Sequence, residues 1–282
     1  MNISITGLAN FTRRIWFLKK LQLCAMGVLP KSGYTFPDFM VIGAQKAGTT
    51  WLHQHLSAHR QIYLPECKEV HFFGDRCRFH GLRWYSDFFS QKGDRIAGDI
   101  TPAYSVLSEK WVKIMSKLMP ELKVIMILRN PVDRAWSAAK MHLCTLSEKR
   151  FEDISRDDFI KHFRSAHSLG RSDYVAIYKL YSKYFGEDNV MVDFYERVAE
   201  EPVSLLQSVA DFLKIDKGPI GSLANLDKPV ANAEYANEIP GDLFDVLLEI
   251  YTPVIKEQGD FFGSCCSSWM KNLLSDSKGS GS

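Results

Sequence analysis

The sequence predicts an α/β domain whose central sheet is mostly parallel and flanked by helices. Short apolar runs bounded by polar or turn residues recur at 39–42, 95–99, 123–128 and 190–194, the pattern of buried strands. Apolar residues return every three or four positions at 50–57, 131–142, 174–184 and 202–213, the spacing of amphipathic helices. Strands alternating with helices need crossover connections, hence parallel pairing under covering helices. With 282 residues and 46% hydrophobic content, the chain can bury one sizeable core.

Taken in order, residues 1–34 form an extension. Its stretch RRIWFLKKLQLCAMGVLP sets Arg13 and Arg14 before an apolar run that Lys19, Lys20 and Gln22 interrupt. The run falls short of the roughly 18 uninterrupted apolar residues of a spanning helix, and no clean small-x-small cleavage site follows. A basic amphipathic helix is expected, one that covers the main domain; peripheral contact with a membrane surface is the second reading. Residues 35–270 make the main domain, and the tail 271–282, ending SDSKGSGS, is expected to be disordered. A net charge of +2 argues against nucleic acid as a partner. The six cysteines include no CxxC pair and no zinc-ligand spacing, so they read as reduced thiols of a soluble cytoplasmic protein.

The segment FMVIGAQKAGTTWL, from Phe39 to Leu52, passes from a strand through a glycine-bearing turn into a helix start. From Gly43 to Gly48 it has the length of a nucleotide P-loop, yet Thr49 stands where that loop's lysine would follow the second glycine. The lysine of this turn is Lys46, inside the loop. Backbone amides from Ala47 through Gly48 and Thr49 to Thr50 still suit an anion, since they open a helix. The expected site is therefore a phosphate cradle with its cation displaced. A magnesium-dependent small-molecule kinase stays open as an alternative, with Asp99 as its nearest carboxylate. A protein that binds nucleotide without turnover is a second alternative.

Four segments carry a family resemblance. QKAGTTW resembles the 5′-phosphosulfate loop of sulfotransferases that use 3′-phosphoadenosine 5′-phosphosulfate. KVIMILRNPVDRAWSAAKMH is a strand, then Arg129, then Asn130 and Pro131 opening a helix that carries Ser137. VMVDFYERVAEEPVSLLQSVADFLKI is similar to the family's strand–Tyr-Glu–helix stretch, and CKEVHFF to the KE-x-HFF motif of its glycan-type, heparan sulfate-like members. The resemblance spans residues 39–215 and implies the P-loop NTPase-like sulfotransferase fold. It further implies that Lys46 stabilises the leaving 5′-phosphate, cradled by Gly48, Thr49 and Thr50 with Trp51 beside them. Arg129 and Ser137 would hold the nucleotide's 3′-phosphate, and Glu69 would be the general base. His71, two residues on, falls on the same side of an extended segment and could orient Glu69 or touch the acceptor. A transferring sulfuryl group carries less charge than a triphosphate, so no metal is expected.

The chain also departs from the family's pattern. Ile100 stands where glycan-type members carry a lysine before Thr-Pro-Ala-Tyr, and LDKPVANAEY, with Lys228, replaces the late Lys-Gly-Arg nucleotide loop. A disulfide-bearing C-terminal segment and a membrane anchor are also missing from the pattern. These departures shift the expectation toward a bacterial-type enzyme, with the acceptor open among small-molecule, carrier-bound and sugar hydroxyls or amines. The oligomeric state is not specified. Phe72, Phe73, Trp84, Tyr85, Phe88 and Phe89 read mostly as core, and Arg76, Arg78 and Arg83 as scattered surface charge.

Overall fold

A computed structural model describes residues 5–218, 238–263 and 265–270. Its strands are β1 (Phe39–Gly43), β2 (Ile62–Tyr63), β3 (Ile96–Ile100), β4 (Lys123–Leu128) and β5 (Val190–Phe194). The helices of the first half are α1 (Ile5–Ala25), α2 (Thr49–Ser57), α3 (Leu82–Asp87), α4 (Glu109–Leu118) and α5 (Pro131–Lys140). Those of the second half are α6 (Arg156–Phe163), α7 (Ala166–Gly170), α8 (Tyr174–Phe185), α9 (Glu196–Glu200), α10 (Pro202–Leu213) and α11 (Gly241–Phe262).

All pairings are parallel, in the order β2-β3-β1-β4-β5. Every residue of β1 is buried, as expected of a central strand covered on both faces. The chain leaves β1 for the far edge, returns through β3, and then crosses to β4 on the other side. Strand order thus reverses at β1, and in open parallel sheets the crevice beyond the carboxyl ends at such a point is where ligands bind. The glycine-bearing loop follows β1 directly.

The four strands read from sequence are present, two of them shifted by one residue at an end. β2 escapes sequence reading because two residues are too short to show a period; it exists through pairing of Ile62 with Ile96 and Tyr63 with Ala97. Helix α11 escapes it because Pro253 lies inside, where proline ordinarily signals a break. The expected helix over 131–142 ends as α-helix at Lys140 and continues as a π-helical turn, Met141–Thr145. There Leu146 N–H reaches the Met141 carbonyl at 2.9 Å and Lys149 N–H the Cys144 carbonyl at 3.0 Å. Such five-residue bridges insert a residue into a helix and recur at functional sites.

Helix α1 packs against α3 and α4, burying Leu21 and Cys24. Phe17 lies against Gly81 so closely that a Cβ there would sit 2.8 Å from its ring. Its outward face leaves Phe11, Ile15, Trp16, Leu23 and Met26 exposed beside Lys19. Among the described residues, no helix is long and apolar enough to cross a membrane. Phe72, Phe73, Tyr85 and Phe89 are core residues, while Trp84 and Phe88 are partly buried against them. Lys228 and the tail 271–282 lie outside the described residues.

One contact ties β1 to β3. Phe39 is registered with Gly98, and a Cβ on Gly98 would stand 2.2 Å from its ring. Gly98→Ala should therefore cost about 1–3 kcal/mol, the usual penalty of overpacking. Phe39→Leu should return part of that loss in the double variant, as read by urea denaturation.

Candidate active site

The turn after β1 is held in conformations that side chains rarely adopt. Lys46 has φ 69° and Gly48, the N-cap of α2, has φ 76°. A non-glycine residue in the left-handed region costs about 1–3 kcal/mol and persists only where neighbours enforce it. Arg129 enforces it here, donating from Nη1 to the Lys46 carbonyl at 2.7 Å. The Arg129 guanidinium also lies 4.6 Å from the Tyr195 ring centroid, and Tyr174 Oη donates to the Arg129 carbonyl at 2.8 Å. Gly48 has no room for a side chain, since a Cβ would meet Tyr195 at 3.1 Å.

Helix α2 opens on Gly48, so the N–H groups of its first turn have no partner within the helix. Ala47 does not join that cradle. It is fully buried, and its N–H donates to the Ala44 carbonyl at 3.2 Å. The cradle expected over Ala47 to Thr50 therefore contracts to Gly48, Thr49 and Thr50.

Three cations converge on it. Burial lowers the Lys46 pKa, and the charges of Arg129 and Lys68 lower it further. Lys68 Nζ donates to Thr50 Oγ1 at 2.6 Å, which bridges the cradle to the next segment. Like charges gathered in one half-buried place repel one another, and an anion placed among them relieves that repulsion. Gln45 Oε1, also at this wall, is buried with no hydrogen-bond partner among the described residues. Gln45 Oε1 can only accept, whereas Lys46, Lys68, Arg129 and the amides of Gly48, Thr49 and Thr50 are donors that fit a phosphate.

Glu69 and His71 sit opposite. His71 Nε2 lies 3.0 Å from Glu69 Oε2, a hydrogen bond in the Nε2-protonated ring, and Lys68 Nζ is 3.5 Å from Oε1. The bond from His71 is the main reason that Glu69 titrates below the usual carboxylate range; burial opposes it, and Lys68 assists. His71 itself has φ 53°.

The segment is pinned from below by Asp99. Its Oδ1 accepts from Thr101 Oγ1 at 2.6 Å, and its Oδ2 from Tyr85 Oη at 2.9 Å and Tyr104 Oη at 3.2 Å. Those oriented hydroxyls then accept the N–H of Val70 at 3.1 Å and of Phe72 at 2.9 Å. Asp99 is fully buried, which pushes its pKa up to about 6 against the pull of the three hydroxyls. The carboxylate that kept a kinase open is thus committed inside the core and does not line the cleft.

These pieces enclose one cleft of about 750 Å³. Lys46, Gly48, Thr49, Thr50, Trp51, Glu69, His71, Arg129 and Ser137 all line it. Tyr195, Lys68, His142, His167 and Arg171 line it as well, and sequence reasoning did not assign them to the site. Tyr195 had a signal in the Phe-Tyr-Glu string after β5 and Lys68 in the KE-x-HFF string; His142, His167 and Arg171 carried none. Arg76, Arg78 and Arg83 are absent from its lining, and Ile100 is buried at the end of β3. Inorganic pyrophosphate should raise the melting temperature of this protein by mass action. Lys46→Met should remove most of that rise in a thermal-shift titration.

Known proteins are similar to this chain in sequence and fold. A family model described as a sulfotransferase domain matches residues 36–231. Mouse heparan sulfate glucosamine 3-O-sulfotransferase 6 is 28% identical over 214 residues, covering 70% of this chain and 58% of that protein. The chain thus spans little more than half the length of that relative. A crystal structure of a sulfotransferase from Alicyclobacillus acidocaldarius superposes with TM-score 0.64 at 26% identity, covering 84% of this chain and 99% of the other. Mouse sulfotransferase SULT7A1 complexed with PAP shares the fold at TM-score 0.51 and 17% identity, over 84% of this chain and 91% of that one. The matched family span contains the Lys46 loop, the Glu69 segment and the Arg129–Ser137 stretch, and the chain belongs to the sulfotransferase domain family.

Proposed function

We propose that this protein transfers a sulfuryl group from 3′-phosphoadenosine 5′-phosphosulfate to a hydroxyl of its acceptor, without a metal. The observation that carries this reading is the meeting of three groups in one cleft: the Lys46 cradle, the Arg129–Ser137 pair, and Glu69. A nucleotide with phosphates on both its 3′ and 5′ positions needs two separate anion sites, whereas ATP needs one. The acceptor class favoured by the relatives' names and by the KE-x-HFF string is a sugar.

Each residue then has a definable task. Lys46 and the amides of Gly48, Thr49 and Thr50 neutralise charge on the 5′-phosphate oxygen as the bond from sulfur to that oxygen breaks. Arg129 and Ser137 grip the 3′-phosphate, and Arg129, already bonded to the Lys46 carbonyl, couples the two ends. Trp51 and Tyr195 flank the nucleotide. The acceptor oxygen attacks sulfur, and Glu69 takes its proton, a contribution of about 10²–10⁴ in rate. The products are the sulfate ester and adenosine 3′,5′-bisphosphate. His71 keeps Glu69 ionised and aimed. Entry of the acceptor strips water from the carboxylate, which raises its basicity when the proton must move.

Lys46→Ala and Glu69→Gln should each lower turnover at least about tenfold with the fold intact by circular dichroism. Turnover should persist in excess EDTA; loss there would favour a magnesium-dependent kinase. The acid limb of the kcat/KM profile should lie below the usual glutamate range, because the His71 bond lowers the Glu69 pKa. His71→Ala removes that bond and should move the limb upward; an unmoved limb would separate His71 from the base.

A further inference from the structure

Beyond Glu69, the cleft wall holds positive charge that the nucleotide site does not use. Arg171 is 6% exposed and lines the cleft with His167 and His142. Its Nε donates to His167 Nε2 at 3.1 Å, while its Nη1 is buried with no partner among the described residues. His142 Nε2 is likewise buried and unpartnered. Behind them lies Arg134, fully buried, bonded through Nε to Ser172 Oγ at 2.7 Å and through Nη2 to the Ser168 carbonyl at 3.0 Å. Its Nη1, too, is unpartnered. His142 stacks its ring 5.2 Å from His162 and 5.8 Å from His167.

Two buried guanidiniums thus stand among three imidazoles with no carboxylate among the described residues bonded to either. Burying charge without a counterion is expensive, and unpaired donors add to the cost. The cluster responds by discharging what it can. Burial and neighbouring cations depress all three histidines, His162 to about 4, and burial with Arg134 lowers Arg171 to about 10. Arg171, His142, His167 and Glu69 line the same cleft, and the Glu69 charge acts on Arg171 against that lowering. The π-helical turn at Met141–Thr145 is what brings Met141 and His142 into the wall.

We propose that Arg171, His142 and His167 form an acceptor subsite for an anionic oxygen, a carboxylate or a sulfate ester, on the molecule whose hydroxyl Glu69 deprotonates. This rests on the sulfotransferase reading of the cleft and narrows its acceptor to an acid. The subsite completes the hydrogen bonds of Arg171 Nη1 and His142 Nε2, and it sets an acidic group at a fixed span from the reacting hydroxyl. Glu69 is then flanked by nucleotide phosphates on one side and a second anion on the other, each neutralised by its own cations. A neutral acceptor leaves the cluster unpaired, so selectivity comes from the cost of that vacancy as much as from the contact made.

Calorimetry on the full chain saturated with adenosine 3′,5′-bisphosphate tests this. The titrants are p-nitrophenyl β-D-glucuronide, p-nitrophenyl β-D-glucoside 6-sulfate and the neutral p-nitrophenyl β-D-glucoside. An acidic glycoside should bind at least about tenfold more tightly than the neutral one, the scale expected of a charge-assisted pair. Whichever acid leads identifies carboxylate or sulfate ester as the preferred group. Arg171→Gln should erase the preference while bisphosphate affinity stays unchanged. His142→Gln, on a separate element, should narrow it severalfold and serves if the Arg171 variant fails to fold. Equal or undetectable binding of acidic and neutral glycosides to the wild type, or an acid preference intact in the variants, overturns the proposal. If the wild type does not bind the bisphosphate, the sulfotransferase reading falls instead. The acid preference measured without nucleotide then decides the subsite alone.

Discussion

Asp99 leaves water entirely on folding, and a buried carboxylate is tolerated only when its oxygens are fully hydrogen-bonded. Tyr85, Thr101 and Tyr104 supply those bonds. The hydroxyls of Thr101 and Tyr104, with their protons turned to Asp99, keep their lone pairs free, and these receive the N–H groups of Val70 and Phe72. Those amides bracket His71 and lie next to Glu69. The position of the candidate base is therefore inherited from the interior of β3 through two hydroxyls, with no regular secondary structure of its own. A segment without sheet or helix is ordinarily mobile; here the core stiffens it.

The cleft above this anchor concentrates charge of one sign. Lys46, Lys68 and Arg129 surround the loop, and Arg171 lines the cleft wall with the buried Arg134 beside it. Among the described residues, Glu69 is the only carboxylate lining the cleft. Such an arrangement destabilises the empty protein and stabilises an anion that arrives, which is the usual exchange of stability for binding at a functional site. The strained backbone at Lys46 belongs to the same exchange. Its left-handed conformation is held by Arg129, so the loop and the cleft lining at Arg129 share one residue.

Much of the fold was legible in sequence, and the reason is local. β1 and β4 are apolar runs with turn residues at their ends and are buried almost throughout, and β5 is a shorter apolar run interrupted by Asp193 and partly buried. The turn from Gly43 to Gly48 was legible because a strand, a glycine pair and a helix start follow one another without interruption. Glu69 and His71 were legible as a string of residues, although nothing in that string shows that Tyr104 and Thr101 hold it. Asp99 was misread for the same reason: a carboxylate at a strand end looks available until its neighbours in space are known. The helices α3, α4, α6 and α7 were not read, and neither were β2, which is two residues long, and α11, which contains Pro253.

By itself the sequence determined the glycine-bearing turn, the strands that frame it and the string carrying Glu69, since each is encoded within a dozen consecutive residues. Only the tertiary structure decided how strongly the cleft is charged. Arg129 lies 83 residues from the Lys46 carbonyl it braces, and Arg171 and His142 stand on different elements. Coulomb energy depends on separation through space and on the local dielectric, and neither quantity is written along the chain.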